Sequence, residues 1–414
     1  LSCAIFFDIS RMVLRWLFLT CSIVWVPEVF GQAVPAMANT PATGAEAFWV
    51  SGPIFADGPK LSLGIRDILS ADLNSDGRLD KVYATSKGLL VQWGEDTPEL
   101  WGEPEALTLP DATGSPLQLL ANGSSQLGEI QKSPFAMHGE VGWSEVPQFW
   151  VRWSAPERML GYRFDGERLS TVTQVSLSPG LLVDVTRGGV VFGPSVDGKI
   201  YLEEFGVRRV LTARVPPLEH LQWTDVDGDG ISDLLLKKRE GGFGVVRLEN
   251  GQMQSIQWIP KTSALKQWFT VRDTDGKLIL CGRNAGQQGM HKWVLESEDG
   301  WLMRPLDGLS MFDDVSLIHA EEVMENVSYV LTMSRKWRRA MGAVWIGGTC
   351  AGQFLLRASG AMGIPHFSDM NGDGVPDFSY FDNSAEQLVS HHLLRVPFED
   401  ISEDVHAASN DLVF

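Results

Sequence analysis

Asp225-Val226-Asp227-Gly228-Asp229-Gly230-Ile231-Ser232-Asp233 runs straight into the apolar triplet Leu234-Leu235-Leu236. Carboxylates stand at positions one, three, five and nine, and the Gly at position six lets the chain turn tightly. Oxygens at that spacing form a cage for a hard cation needing about six to eight oxygen ligands, for which calcium is the natural occupant. The pattern recurs as Asp72-Leu73-Asn74-Ser75-Asp76-Gly77-Arg78-Leu79-Asp80 and as Asp369-Met370-Asn371-Gly372-Asp373-Gly374-Val375-Pro376-Asp377. A helix-loop-helix calcium hand would carry a bidentate Glu at position twelve. Tyr83, Leu236 and Tyr380 stand there instead, and each loop leads into a strand-like run.

Weaker copies fill the gaps between these three. They start at Glu140 (through Gln148), Asp184, Val271 and Glu321, so successive starts are 68, 44, 41, 46, 50 and 48 residues apart. Within each unit, short apolar runs enter and leave the loop and two more follow, separated by turn residues. In the fourth unit these are 220–224, 233–238, 243–248 and 253–259; in the fifth, 268–271, 278–281, 292–296 and 301–306. Four antiparallel strands recurring at this period describe an all-β propeller, here with seven blades, whose blades bury their faces against one another. After the seventh loop only two further strands can be placed, near 378–381 and 387–394, while an orphan apolar stretch, 47–55, precedes the first loop. That N-terminal strand is expected to complete the last blade and close the ring. The propeller should span 34–398, with an inserted loop near 105–139 rich in Gly, Ser, Pro and Asn, and an acidic tail at 399–414.

With three loops in one register, each feeding a strand, the chain resembles the FG-GAP/VCBS repeat family, the calcium-loop propellers similar to integrin α-subunit heads. The resemblance implies up to three calcium ions. It implies side-chain ligands at positions one, three, five and nine and a backbone carbonyl at seven: Asp72, Asn74, Asp76, Arg78 and Asp80; Asp225, Asp227, Asp229, Ile231 and Asp233; Asp369, Asn371, Asp373, Val375 and Asp377. The middle loop, with four carboxylates, should be the tightest. Val271 and Ile279 in the fifth copy, Arg187 in the third, Val323 and Tyr329 in the sixth, and Gly142 and Gln148 in the second should leave those copies empty.

Composition narrows the setting. Residues 1–33 read as an export signal: Arg11 and Arg15 precede the apolar run 16–26, and Gly31-Gln32-Ala33 offers small residues for cleavage. That run is too short to span a bilayer, so the mature protein is expected outside the cytoplasm. A net charge of −18 argues against nucleic acid or an anionic membrane as partner. Cys281 and Cys350 are expected as core residues or a single pair, not a disulfide scaffold. Trp143, Trp150 and Trp153 cluster among 15 Trp residues; they fit the wide gaps between twisted blades, or a platform for sugars. The adjacent His391 and His392 point to opposite faces of a strand and make poor joint ligands. No nucleophile elbow, two-His metal motif or phosphate-binding Gly loop stands in a convincing context. The expectation is a monomeric, non-catalytic binding or scaffold module for a protein or glycan. The alternative is a carbohydrate-active enzyme similar to polysaccharide lyases built on calcium-loaded propellers.

Overall fold

The computed structural model describes residues 48–53, 65–76, 78–94, 104–107, 109, 113–121, 146–166, 168–186, 188–249, 252–284, 289–297, 300–306, 315, 317–324, 327–334, 336, 339–357, 365–368, 377–382 and 387–396. The expected signal at 1–33 and the tail at 399–414 lie outside them. No helix among the described residues is long and apolar enough to cross a membrane.

After β1 (Phe48–Pro53), six four-stranded antiparallel sheets follow from consecutive chain segments. The first is β2 (Ile65–Ala71), β3 (Asp80–Thr85), β4 (Gly88–Gln92) and β5 (Glu105–Ala106). The second is β6 (Pro116–Ala121), β7 (Phe149–Ser154), β8 (Glu157–Phe164) and β9 (Leu169–Ser176). The third is β10 (Leu182–Val185), β11 (Gly189–Gly193), β12 (Ile200–Glu204) and β13 (Val207–Thr212). The fourth takes β14 (Leu218–Thr224), β15 (Asp233–Lys238) and β16 (Phe243–Val246). A small ribbon of β17 (Leu248–Glu249) and β18 (Gln252–Met253) then leads to its last strand, β19 (Gln257–Trp258). The fifth is β20 (Leu265–Arg272), β21 (Leu278–Asn284), β22 (Met290–Ser297) and β23 (Gly300–Leu306); the sixth is β24 (Leu317–Met324), β25 (Val327–Ser334), β26 (Arg339–Ile346) and β27 (Thr349–Arg357). A further four-stranded sheet is composite: β28 (His366–Ser368), β29 (Asp377–Asp382) and β30 (Gln387–Val396) are joined at the outer edge by β1, with Phe48 opposite Val396 and Pro53 opposite His391.

The chain is thus an all-β propeller of four-stranded antiparallel blades, and its packing shows why. The second strands β11, β15 and β21 are covered on both faces, so their cores read as continuous apolar runs instead of alternations. Leu234, Leu235 and Leu236 in β15 are each wholly buried, as are Val190 and Val191 in β11. Every buried cluster straddles two neighbouring sheets. Val82 of the first meets Phe149 and Tyr162 of the second; Leu235 and Phe243 of the fourth meet Leu280 and Trp293 of the fifth; Leu331 of the sixth meets Phe367 and Phe378 of the composite sheet. Trp150, Trp293 and Trp345 are fully buried at such seams, so these indoles are packing groups. Cys281 sits in the seam between the fifth and sixth sheets and is not paired with Cys350. Burial pushes its thiol well above the usual range.

One expectation needs correcting. The stretch 105–139 is not simply an inserted loop, because it supplies β5 and β6; residues 122–139 lie outside the described set. Pro and Gly at 110–116 hide a strand whose Leu119 is buried against the first sheet. The innermost strand is also irregular in a repeated way. The register slips beside Arg66, Leu117, Glu219 and Lys266, the second residue of β2, β6, β14 and β20. Such a bulge re-aims the next side chain, and the residues that follow are Asp67, Gln118, His220 and Gln267.

Candidate functional site

The loop between β14 and β15 gathers its acids as the spacing requires. Gly228 and Gly230 both adopt φ of 80°, where a side chain would be strained. A Cβ on Gly228 would also fall 2.5 Å from the Asp275 carbonyl oxygen of the next blade. Asp225 is buried and accepts the amides of Gly228 (2.8 Å) and Gly230 (2.9 Å), which coils the loop around it. Asp229 accepts the Ile231 amide at 2.7 Å. One carboxylate oxygen each from Asp225, Asp227 and Asp229 then lies within 4.8 Å of the others. Burial, and next the charges of Asp227 and Asp225, hold the Asp229 carboxyl above its ordinary range despite the Ile231 amide. Hard oxygens so placed suit a hard dication.

The position-nine carboxylate has a second task. Asp233 accepts the Val226 amide at 3.2 Å with one oxygen and the Leu248 amide at 2.8 Å with the other, tying the loop to the exit of the hairpin. Burial pushes it up to about 7, against those two bonds. Asp80 repeats the arrangement, with Leu73 at 2.9 Å and Gly94 at 3.0 Å, and burial raises it too. In the degenerate second copy Gln148 keeps the contact to the hairpin exit, its amide oxygen accepting Phe164 N–H at 2.7 Å, while its Nε2 donates to the Leu73 carbonyl of the first blade's loop at 3.0 Å.

The first loop is less open. Asp76 accepts the Arg78 amide (2.8 Å) and Asn74 Nδ2 (3.0 Å), and the Arg78 guanidinium comes within 4.0 Å of it. Asp72 and Asn74 both accept the Asp76 amide at 3.1 Å. Among the described residues the three-carboxylate grouping occurs only in the fourth loop. Asp369, Asn371, Asp373 and Val375 lie outside the described residues, and Asp377 is described only as the first residue of β29.

The inner strands carry further groups that no local motif announces. Carboxylates reach from one inner strand to the next: Asp67 accepts Leu119 N–H (2.8 Å), Asp184 accepts Trp223 N–H (2.6 Å) and Glu321 accepts Phe367 N–H (3.2 Å). Edge strands expose such unpaired amides, so these acids satisfy them across the blade gap. Between β14, β20 and β24 opens a cleft of about 500 Å³ lined by His220, Gln222, Lys266, Gln267, Trp268 and His319, among others. The His220 and Trp268 rings meet edge to face, 4.7 Å between centroids. Burial lowers the His220 pKa, which keeps this imidazole neutral near pH 7. Their sequence separation of about fifty residues is the repeat period, so only superposing the units could have placed them together.

No protein-family model and no curated protein matches the chain. Among solved structures, the WD40 domain of Toxoplasma gondii coronin superposes with a TM-score of 0.53 at 12% identity, covering 89% of this chain and 90% of that one. At that identity the likeness shows the propeller fold alone. The structure of BBS1N in complex with ARL6DN also matches, with a TM-score of 0.49 at 11% identity over 85% of this chain and 98% of that one.

Proposed function

We propose that the chain is an exported, monomeric, calcium-stabilised propeller of the FG-GAP/VCBS type that binds a protein or glycan without transforming it. The carrying observation is the convergence of Asp225, Asp227 and Asp229 within 4.8 Å in a loop that ties two blades together. Bound there, calcium would supply the positive charge that the four acids lack. The Val226 carbonyl of that loop accepts Leu278 N–H of the next blade at 3.0 Å, so fixing the loop also fixes a blade seam. We read the composite sheet as a seventh blade, closed by β1, since β28 lies against β2. Ligand is assigned to the inner-strand cleft, which joins an indole, imidazoles and carboxamides.

Calorimetric calcium titration with Asp229→Ala tests this reading. The parent should melt higher in calcium, by roughly 2.7 kcal/mol per site at a hundredfold excess over the dissociation constant. The variant should bind one ion fewer and gain less; equal stoichiometry and equal melting would count against a structural ion. Deleting residues 34–55 should lower the melting temperature by removing β1, and a truncated chain as stable as the parent would sink the closure by β1.

The same cleft supports the second reading, a carbohydrate-active enzyme, because His220 and His319 line it with Lys266. Release of unsaturated ends from a panel of acidic glycans would establish the lyase; binding without turnover would leave the module.

A further inference from the structure

The fifth loop keeps the turn of a calcium loop but not its charge. Asp273 Oδ1 accepts the amides of Asp275 (2.9 Å) and Lys277 (2.8 Å), and Gly276 takes φ of 76°, close to the 80° of Gly230 in the fourth loop. Val271 and Ile279 occupy the end positions, and Lys277 stands at position seven. Beside it, between the fifth and sixth blades, lies a cavity of about 520 Å³ whose lining includes Lys277, Lys292, Arg304 and Thr349. The hairpin turn Gly347-Gly348 forms its far wall and is pressed onto the fifth loop. A Cβ on Gly347 would fall 2.4 Å from Thr274 Cγ2, and one on Gly348 2.5 Å from Ile279 Cδ1.

The acids of this cavity are already engaged. Asp273 serves the two backbone amides, and Glu296 pairs with Arg304. Lys277 and Lys292 form no ion pair among the described residues, and both are half-buried. Lys292 also sits directly opposite Arg304 across β22 and β23. Glu296 offsets the Arg304 charge, so the cationic excess of the cavity rests on Lys277 and Lys292. In a chain of net charge −18 the concentration of cations in one cavity is a local reversal.

We propose that this cavity is a binding site for a tetrahedral oxyanion, a sulfate or phosphate ester group, held by Lys277 and Lys292 with Thr349 at the rim. Two ammonium groups act as point charges and suit a tetrahedral oxyanion, whereas a lone carboxylate is better met by the flat fork of an unpaired Arg.

The test is calorimetric titration of the full chain with sodium sulfate, sodium phosphate and sodium acetate at constant ionic strength. Sulfate or phosphate should bind saturably and acetate should not. Lys277→Gln combined with Lys292→Gln should weaken binding at least about tenfold while the melting temperature without added anion stays level or rises. A sulfated monosaccharide and a sugar phosphate then distinguish the two natural sources. Binding unchanged in the double variant, equal binding of acetate, or no saturable binding of either oxyanion would each overturn the site. Thr349→Val, at the exposed first position of β27, provides a second variant, expected to weaken the same titration.

Discussion

Arg272→Met should lower the melting temperature of the chain by about 4–7 °C, a loss of roughly 3–5 kcal/mol. The residue ends β20, and its guanidinium joins three blades. Nε meets Glu322 of the sixth blade at 2.7 Å, and NH1 donates to the carbonyl oxygens of Asp225 (2.7 Å) and Gly276 (2.6 Å). NH2 donates to Thr224 Oγ1 at 2.8 Å. The side chain is only 13% exposed, so water cannot replace these partners where they stand. Charged hydrogen bonds are each worth about 1.5–3 kcal/mol, and as one unit they do not add fully. Met fills most of the volume, which keeps the loss attributable to the donors. Arg272→Lys should recover little of it, because one ammonium cannot reach acceptors spread around a planar fork. Melting in excess calcium and after chelation supplies a second readout. If the fourth loop holds calcium, Arg272→Met should weaken that binding too, since it frees the Asp225 carbonyl. A variant within about 1 kcal/mol of the parent would show that the blades are held by their apolar seams alone.

Arg272 also marks a limit of reading sequence. In the repeat alignment it is position two of a spoiled loop, and nothing nearby distinguishes it from a surface cation. Three of its four partners, Glu322, Asp225 and Thr224, lie about fifty residues before or after it, so most of its role exists only once the blades stack. Gln148 is the same case seen from the other side. By residue type it spoils a ligand position, yet it keeps the contacts that Asp80 and Asp233 make to the hairpin exit. The backbone staple needs an acceptor oxygen, which an amide supplies as well as a carboxylate, while a cation cage needs the charge.

What was legible was what repeats locally. The strands of the fifth unit and the first two of the fourth fall where turn residues bracket apolar runs, because turn chemistry and strand period both act within a few residues, whereas the expected strands 243–248 and 253–259 are interrupted by the small β17–β18 ribbon. The orphan stretch at 47–55 could be matched to a missing strand by counting, and β1 does pair with β30. The strand at 116–121 was hidden because Pro110, Gly114 and Pro116 carry turn chemistry, while the burial of Leu119 depends on a sheet built from other units. The cleft residues His220, Trp268 and His319 were invisible for the same reason.

Acidification from about pH 7.5 to pH 5 should stabilise the parent relative to Asp184→Asn, by about 1.4 kcal/mol between the two ends of that range. Asp184 lies in the inner strand β10 and accepts Val185 N–H at 2.9 Å with one oxygen and Trp223 N–H at 2.6 Å with the other. Burial dominates these two bonds and pushes its carboxyl up to about 6 from an ordinary 3.8. No cationic side chain contributes to holding it ionised. The folded state therefore binds this proton more tightly than the unfolded chain does. Stability contributed by the group falls as pH rises from about 4 through 6, and returns as pH is lowered. The whole gap between the two values corresponds to about 3 kcal/mol, reached only below about pH 4; pH 5 lies one unit under the folded value and recovers about 1.4 of it. Asn cannot ionise, so the variant lacks this slope, and acids elsewhere, including those of the Asp-rich loops, cancel in the comparison. The amide also presents a donor toward one of the two backbone N–H groups, which costs the variant about 1–3 kcal/mol at every pH. Denaturant unfolding of both proteins across the range separates the constant loss from the slope. Parallel profiles would mean that Asp184 keeps an ordinary pKa, which would require water to reach it between the third and fourth blades.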